Sequence, residues 1–166
     1  MSETFQIRLA TADEYEEIGE LTVRGYRYDG FLSASEDYAS SLRDAASRAV
    51  SAELWVAAER ATGRLLGSVT FCPLGSPYRE LATDDEGEFR MLAVDPAARG
   101  RGVGRALVEL CLRRSRELGY AGVRMSSMDR MTSAHRVYER LGFVRAPEDD
   151  WSPTPGVLLL AYVLAF

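Results

Sequence analysis

The residues best suited to chemistry lie between Glu88 and Leu107, where Gly100, Gly102 and Gly104 are interleaved with Arg99, Arg101 and Arg105. Glycine lets backbone N–H groups face a ligand without a Cβ in the way. At a helix N-terminus those unpaired donors and the helix dipole favour an anion. A phosphate-bearing ligand suits such a turn; a glycine-rich connection that holds nothing is the plain alternative. A Walker loop is excluded, because it needs a lysine and all 20 basic residues are arginine. The dinucleotide fingerprint G-x-G-x-x-G also fails, since counting from Gly100 or Gly102 puts Arg105 or Leu107 in place of its third glycine.

The surrounding pattern supplies elements to hold this turn. Phe89 to Val94 is apolar enough for a buried strand, Asp95-Pro96 breaks it, and a helical period of Val103, Leu107, Leu110, Cys111 and Leu118 follows, stopped by Gly119. Gly122 to Met128 reads as a strand parallel to the first, because a helix joins them in a right-handed crossover. Upstream, Phe5, Ile7 and Leu9 alternate as a strand over residues 4–9. Thr11 with Glu14 makes a capping box for a helix carrying Tyr15, Ile18 and Leu21. Ser33 with Glu36 repeats the signature before one further helix with Tyr38, Leu42, Ala45, Ala46 and Ala49. Between these helices, Gly25 to Phe31 reads as a connection whose Tyr26, Tyr28 and Phe31 either cap the core or wall a substrate pocket. Leu54 to Ala58 and Leu65 to Cys72 form a hairpin, and Pro73 to Gly87 a long polar loop. Downstream, Ala134, Val137, Tyr138 and Leu141 mark a helix ended by Gly142. A short strand over 143–145 and an apolar closing strand over 157–166 complete the chain.

Two of these segments carry a resemblance. Arg99-x-x-Gly102-x-Gly104 resembles the pyrophosphate loop of the GNAT superfamily of N-acetyltransferases, and Ala134, Tyr138, Gly142 and Phe143 match its second signature, with Met131 where the family often has Asn. The resemblance implies a mixed α/β sheet of six to seven strands flanked by about four helices, its central strands splayed apart to admit coenzyme A. By the same resemblance, the backbone of Arg99, Gly100, Arg101, Gly102, Val103, Gly104 and Arg105 would hold the pyrophosphate of acetyl-CoA. The strand backbone at Leu92, Ala93 and Val94 would pair with the pantetheine arm. Tyr138 would protonate the departing thiolate. Glu88 is the expected base, directly or through a water, because an alkylammonium must lose a proton before it attacks. Asp84, Asp85 and Glu86 are its substitutes.

Composition sets the bounds. A chain of 166 residues, 46% hydrophobic and with no linker-like stretch, is expected to form one domain over residues 1–166. It shows no signal peptide and no run long enough to span a membrane, so a cytoplasmic protein without a membrane partner is expected. Cys72, Cys111 and the single His135 lack metal-ligand spacing, so no metal is expected. Residues 1–89 hold 8 arginines against 17 acids, whereas residues 90–145 hold 12 against 5. The basic half therefore coincides with the glycine turn and suits a compact polyanion. An acidic pI of about 5.0 and no basic–aromatic interleaving argue against nucleic acid.

These readings converge on direct transfer of acetyl from acetyl-CoA to a primary amine, in a ternary complex, most simply on a small molecule. A peptide N-terminal acetyltransferase and a non-catalytic acyl-CoA-binding module are the alternatives, and a homodimer is left open. The acidic run Asp84 to Glu88 leads into the central strand opposite the basic half, so a cationic acceptor without a carboxylate is expected.

Overall fold

A computed structural model describes residues 4–32 and 36–166. Its seven strands form one sheet in the order β1-β2-β3-β4-β5-β7-β6. The first four, β1 (Phe5–Leu9), β2 (Glu53–Glu59), β3 (Leu65–Cys72) and β4 (Glu86–Val94), run antiparallel to their neighbours. The second half holds β5 (Gly122–Met128), β6 (Val144–Arg145) and β7 (Leu159–Ala165), with β7 inserted antiparallel between the other two. The halves meet where β4 and β5 run parallel, as the crossover requires, but only Glu86 with Gly122 and Gly87 with Val123 are paired. Beyond Gly87 the strands separate, leaving the β5-facing edge of β4 without a strand partner.

Among the described residues five α-helices cover the faces: α1 (Tyr15–Tyr28), α2 (Glu36–Arg43), α3 (Ala45–Ser51), α4 (Val103–Glu117) and α5 (Thr132–Arg140). Ile18, Leu21 and Val23 of α1 pack with Leu54, Val56 and Ala58 on one face. Leu107, Val108 and Cys111 of α4 pack with Val69, Phe71 and Phe89 on the other. Each fully buried leucine or phenylalanine contributes roughly 1.5–3 kcal/mol.

Three local departures from the expected elements have identifiable causes. The start of α1 is as expected, with the Glu14 carboxylate accepting from the Thr11 N–H at 2.9 Å, but the helix runs on through Tyr28. Gly25 and Tyr26 therefore sit inside its last turns. The single helix expected after Ser33 is two, because the Asp44 carboxylate caps a new helix by accepting from the Ser47 N–H at 3.1 Å. Arg48, almost wholly buried, turns back to donate to the Ser41 and Leu42 carbonyls at 2.8 and 3.0 Å and so closes the end of α2. Ser33 itself lies outside the described residues.

The third departure is a bulge in β4. Ser68 pairs with Ala93 and Thr70 with Arg90, so β4 spends one extra residue across from β3, and Met91 takes φ +56°, rare for a residue with a Cβ. The extra residue reverses the alternation. Phe89 and then Leu92 and Val94 face the α4 side, while Met91 and Ala93 face α1.

Candidate functional site

The glycine turn stands at the open end of the β4/β5 gap. Gly100 and Gly102 both adopt φ +80°, and Gly102 is the N-cap of α4; a Cβ at either would meet nothing within 4 Å. Their glycine identity thus answers to backbone conformation and to access from solvent. The first intrahelical bond of α4 runs from the Ala106 N–H to the Gly102 carbonyl at 3.0 Å, so the preceding helical N–H groups, of Val103, Gly104 and Arg105, are open to a ligand. Asp95 accepts from the Ala97 N–H at 2.9 Å and meets Arg24 at 3.0 Å. Arg99 reaches the other way, donating to Asp29 at the end of α1 at 3.0 and 3.2 Å and to the Val94 carbonyl at 3.2 Å. The turn is therefore buttressed by side chains while its backbone donors stay free.

A cleft of about 620 Å³ runs from this turn along β4. Leu92, Ala93, Val94, Arg99, Gly100, Gly102, Val103, Gly104 and Arg105 all line it, as does Met131 at the start of α5. Arg101 does not; it is turned to Thr4 and Glu59, at 3.0 and 3.4 Å.

A smaller cavity of about 90 Å³ lies deeper along β4, and Tyr26, Leu92, Met131 and Ala134 line both spaces. Tyr138 lines the inner cavity, 3% exposed, among the rings of Phe89, His135, Phe143 and Tyr162. Burial raises its phenol well above the ordinary value, with the Ser127 hydroxyl acting in the opposite direction, so the group stays protonated. A proton donor and the unpaired strand edge at Leu92 thus line one cavity.

The acids are distributed differently from expectation. Asp84 and Asp85 are exposed at the end of the gap where β4 and β5 still pair, and Glu86 is bound to Arg124 at 2.9 Å. Glu88 is fully buried. Its Oε1 accepts from three successive backbone N–H groups, Glu80, Leu81 and Ala82, at 2.9, 3.0 and 3.0 Å, and its Oε2 is buried without a partner. None of these four acids lines either cavity. Two other carboxylates do: Asp29, paired with Arg99, in the cleft, and Glu80, paired with Arg90 at 3.3 Å, in the inner cavity. Burial pushes the Glu80 carboxyl above its usual value, Arg90 pulls it back, and the nearby Glu88 carboxylate adds to the rise. Sequence reasoning missed both residues. Arg90, a charge inside the apolar run Phe89 to Val94, was a readable signal; Glu80 sits in a loop without periodicity and had none.

The two thiols are sealed: burial pushes Cys72 up to about 12 and raises Cys111 well above its ordinary value. His135, lowered by burial, bonds the Met128 carbonyl at 3.0 Å. Among the described residues, no three His, Cys, Asp or Glu side chains come together as a metal site, and no helix is long and apolar enough to cross a membrane.

Residues 51–145, more than half of the chain, match the family profile described as an acetyltransferase (GNAT) domain. The chain belongs to the GNAT family. The chain is 36% identical over 93 residues to a mycothiol acetyltransferase of Nocardia farcinica, a match covering 52% of this chain but only 31% of that protein. The whole GNAT fold is shared with a GNAT-family acetyltransferase from Staphylococcus aureus Mu50 (TM-score 0.75, 17% identity, 97% and 98% of the two chains). It is also shared with a GNAT acetyltransferase from Brucella melitensis solved with acetyl-CoA (TM-score 0.65, 24% identity, 98% and 88%). The mixed α/β fold and the family expected from Arg99, Gly102, Gly104 and the Ala134 to Phe143 signature are thereby established.

Proposed function

We propose that this GNAT domain transfers acetyl from acetyl-CoA to the primary amine of a small molecule, directly and in a ternary complex. One observation carries the reading: the gap opened by the parting of β4 from β5 runs from a helix N-terminus with free N–H groups to an inner cavity lined by Tyr138 and Glu80. The turn from Arg99 to Arg105 would take the pyrophosphate. The unpaired edge of β4 at Leu92 to Val94 would take the pantetheine amides, and a backbone donor freed by the Met91 bulge would meet the acetyl oxygen.

In the transfer, the acceptor ammonium gives one proton to Glu80, which stands in for the expected Glu88 because it reaches the cavity. The amine nitrogen then bonds to the thioester carbon. As the C–S bond breaks, Tyr138 protonates the sulfur, and the second amine proton restores the phenol. The products are an N-acetyl amine and the free thiol of coenzyme A, with one proton released to solvent through Glu80. A buried Cys72 and Cys111 support transfer without an acyl-cysteine stage.

Calorimetric titration with acetyl-CoA, followed by a thiol-release screen of primary amines, tests the reading. Micromolar binding and amine-dependent thiol release are expected; absence of either removes it.

A further inference from the structure

The inner cavity has a property that acyl transfer to a simple amine does not use. Among the described residues its only charged lining groups are Glu80 and Arg90, joined at 3.3 Å, with side chains 23% and 21% exposed. Arg90 has one further partner, the Tyr78 carbonyl at 3.4 Å. The remaining lining is apolar or aromatic apart from two serines, with Met91, Met125, Met128 and Met131 around Tyr26 and Tyr38.

Resting on the acyl-transfer reading above, we propose that the acceptor is a free α-amino acid with an apolar side chain, its ammonium met by Glu80 and its carboxylate by Arg90. An α-amino acid carries both charges on one carbon, so it can insert into an ion pair of this span and leave each protein charge with an opposite neighbour. A monoamine cannot. Its ammonium would draw Glu80 away and leave the guanidinium with a single carbonyl in a mostly covered site, where an uncompensated charge is costly.

The contrast sharpens along the reaction. Once the ammonium has passed its proton to Glu80, that carboxyl is neutral. With an amino acid bound, Arg90 is still paired by the substrate carboxylate; with a monoamine, its ion-pair partner Glu80 has been neutralised. The carboxylate therefore stabilises the transition state as well as the bound substrate. Burial already biases the Glu80 carboxyl towards the protonated form that the step produces. The inner cavity, about 90 Å³ and sharing Tyr26, Leu92, Met131 and Ala134 with the cleft, sets its apolar lining beside the ion pair, where an apolar side chain would lie. This replaces the expectation of a carboxylate-free cation, whose basis, the Asp84 to Glu88 run, does not reach the cavity.

The experiment is a thiol-release assay with matched sets: valine, valinamide and isobutylamine, and the corresponding leucine, methionine and phenylalanine sets. At least one amino acid is expected to exceed its amide and its decarboxylated amine by about tenfold or more in kcat/KM. Arg90→Met is expected to abolish that ratio, the amino acid losing more than its amide and its decarboxylated amine, with acetyl-CoA affinity kept as evidence of folding. If amides, amines or a short peptide match or exceed every amino acid in the wild-type protein, the zwitterion proposal is overturned while acetyl transfer stands. If no amine of any kind releases thiol although acetyl-CoA binds, both fall.

Discussion

The backbone nitrogen of Glu80 lies 2.9 Å from Oε1 of Glu88, so the buried carboxylate holds the very residue whose side chain enters the inner cavity. Three N–H groups converge on that oxygen, and the loop before β4 is wrapped around one acid. Glu88 is thus a positioning residue and Glu80 the candidate base, and the two roles give different defects. Glu80→Gln should lower kcat by about 10²-fold or more and flatten the acid limb of the pH–rate profile. That limb should lie above the usual glutamate range, because burial raises the Glu80 carboxyl. Glu88→Ala should cost about 1–3 kcal/mol of unfolding free energy by stranding buried donors, and denaturant titration measures it. An unshifted limb in Glu80→Gln would return the base to another group.

Tyr138→Phe keeps the ring that packs against Phe89, Phe143 and Tyr162 and removes only the phenol oxygen. Turnover should fall by about 10²-fold while acetyl-CoA affinity stays within a factor of about two. Wild-type turnover, read by stopped-time thiol release, would assign Tyr138 to packing.

Gly102 has room for a side chain but a left-handed backbone, φ +80°. Gly102→Ala should cost about 1–2 kcal/mol in stability and leave acetyl-CoA binding measurable. Gly102→Asp, tolerated better by that conformation, should instead place a carboxylate among the free N–H groups and reduce affinity by about 10²-fold or more. Calorimetry on the folded variants separates the two; equal affinities would remove the pyrophosphate from this turn.

Glu14 links β1 to α1 through Arg8 at 2.7 Å and the Thr11 N–H, and these partners hold its carboxyl at about 2 against the ordinary 4.5. A depressed folded value means that the stabilisation is fully present above the ordinary value and is lost as pH falls from about 4.5 through about 2. Part of the pair is open to solvent, so Glu14→Gln should cost only about 1 kcal/mol at neutral pH. Unfolding free energies measured from pH 6 to pH 2 should converge for the two proteins at the acid end.

What the sequence determined by itself was local or periodic. The hairpin β2–β3 was legible because Leu65 to Cys72 is a bounded apolar run with a Thr-Gly turn before it, and the anion turn because Gly100, Gly102 and Gly104 sit between a strand and a helical period. Family membership followed from Arg99, Gly102, Gly104 and the Ala134 to Phe143 signature, whose residues are fixed by backbone approach and helix spacing. What only the tertiary structure decided was which acid reaches the inner cavity. A carboxylate's role depends on burial and on partners far along the chain: Glu88 is consumed by N–H groups six to eight residues before it, and Glu86 by Arg124, 38 residues on. The bulge at Met91, set by pairing with β3, puts Leu92 on the face of Phe89, and Arg90 just before it meets Glu80 of the preceding loop at 3.3 Å. No pattern within either segment encodes that meeting, because it arises from the register between two strands and the loop that Glu88 folds over them.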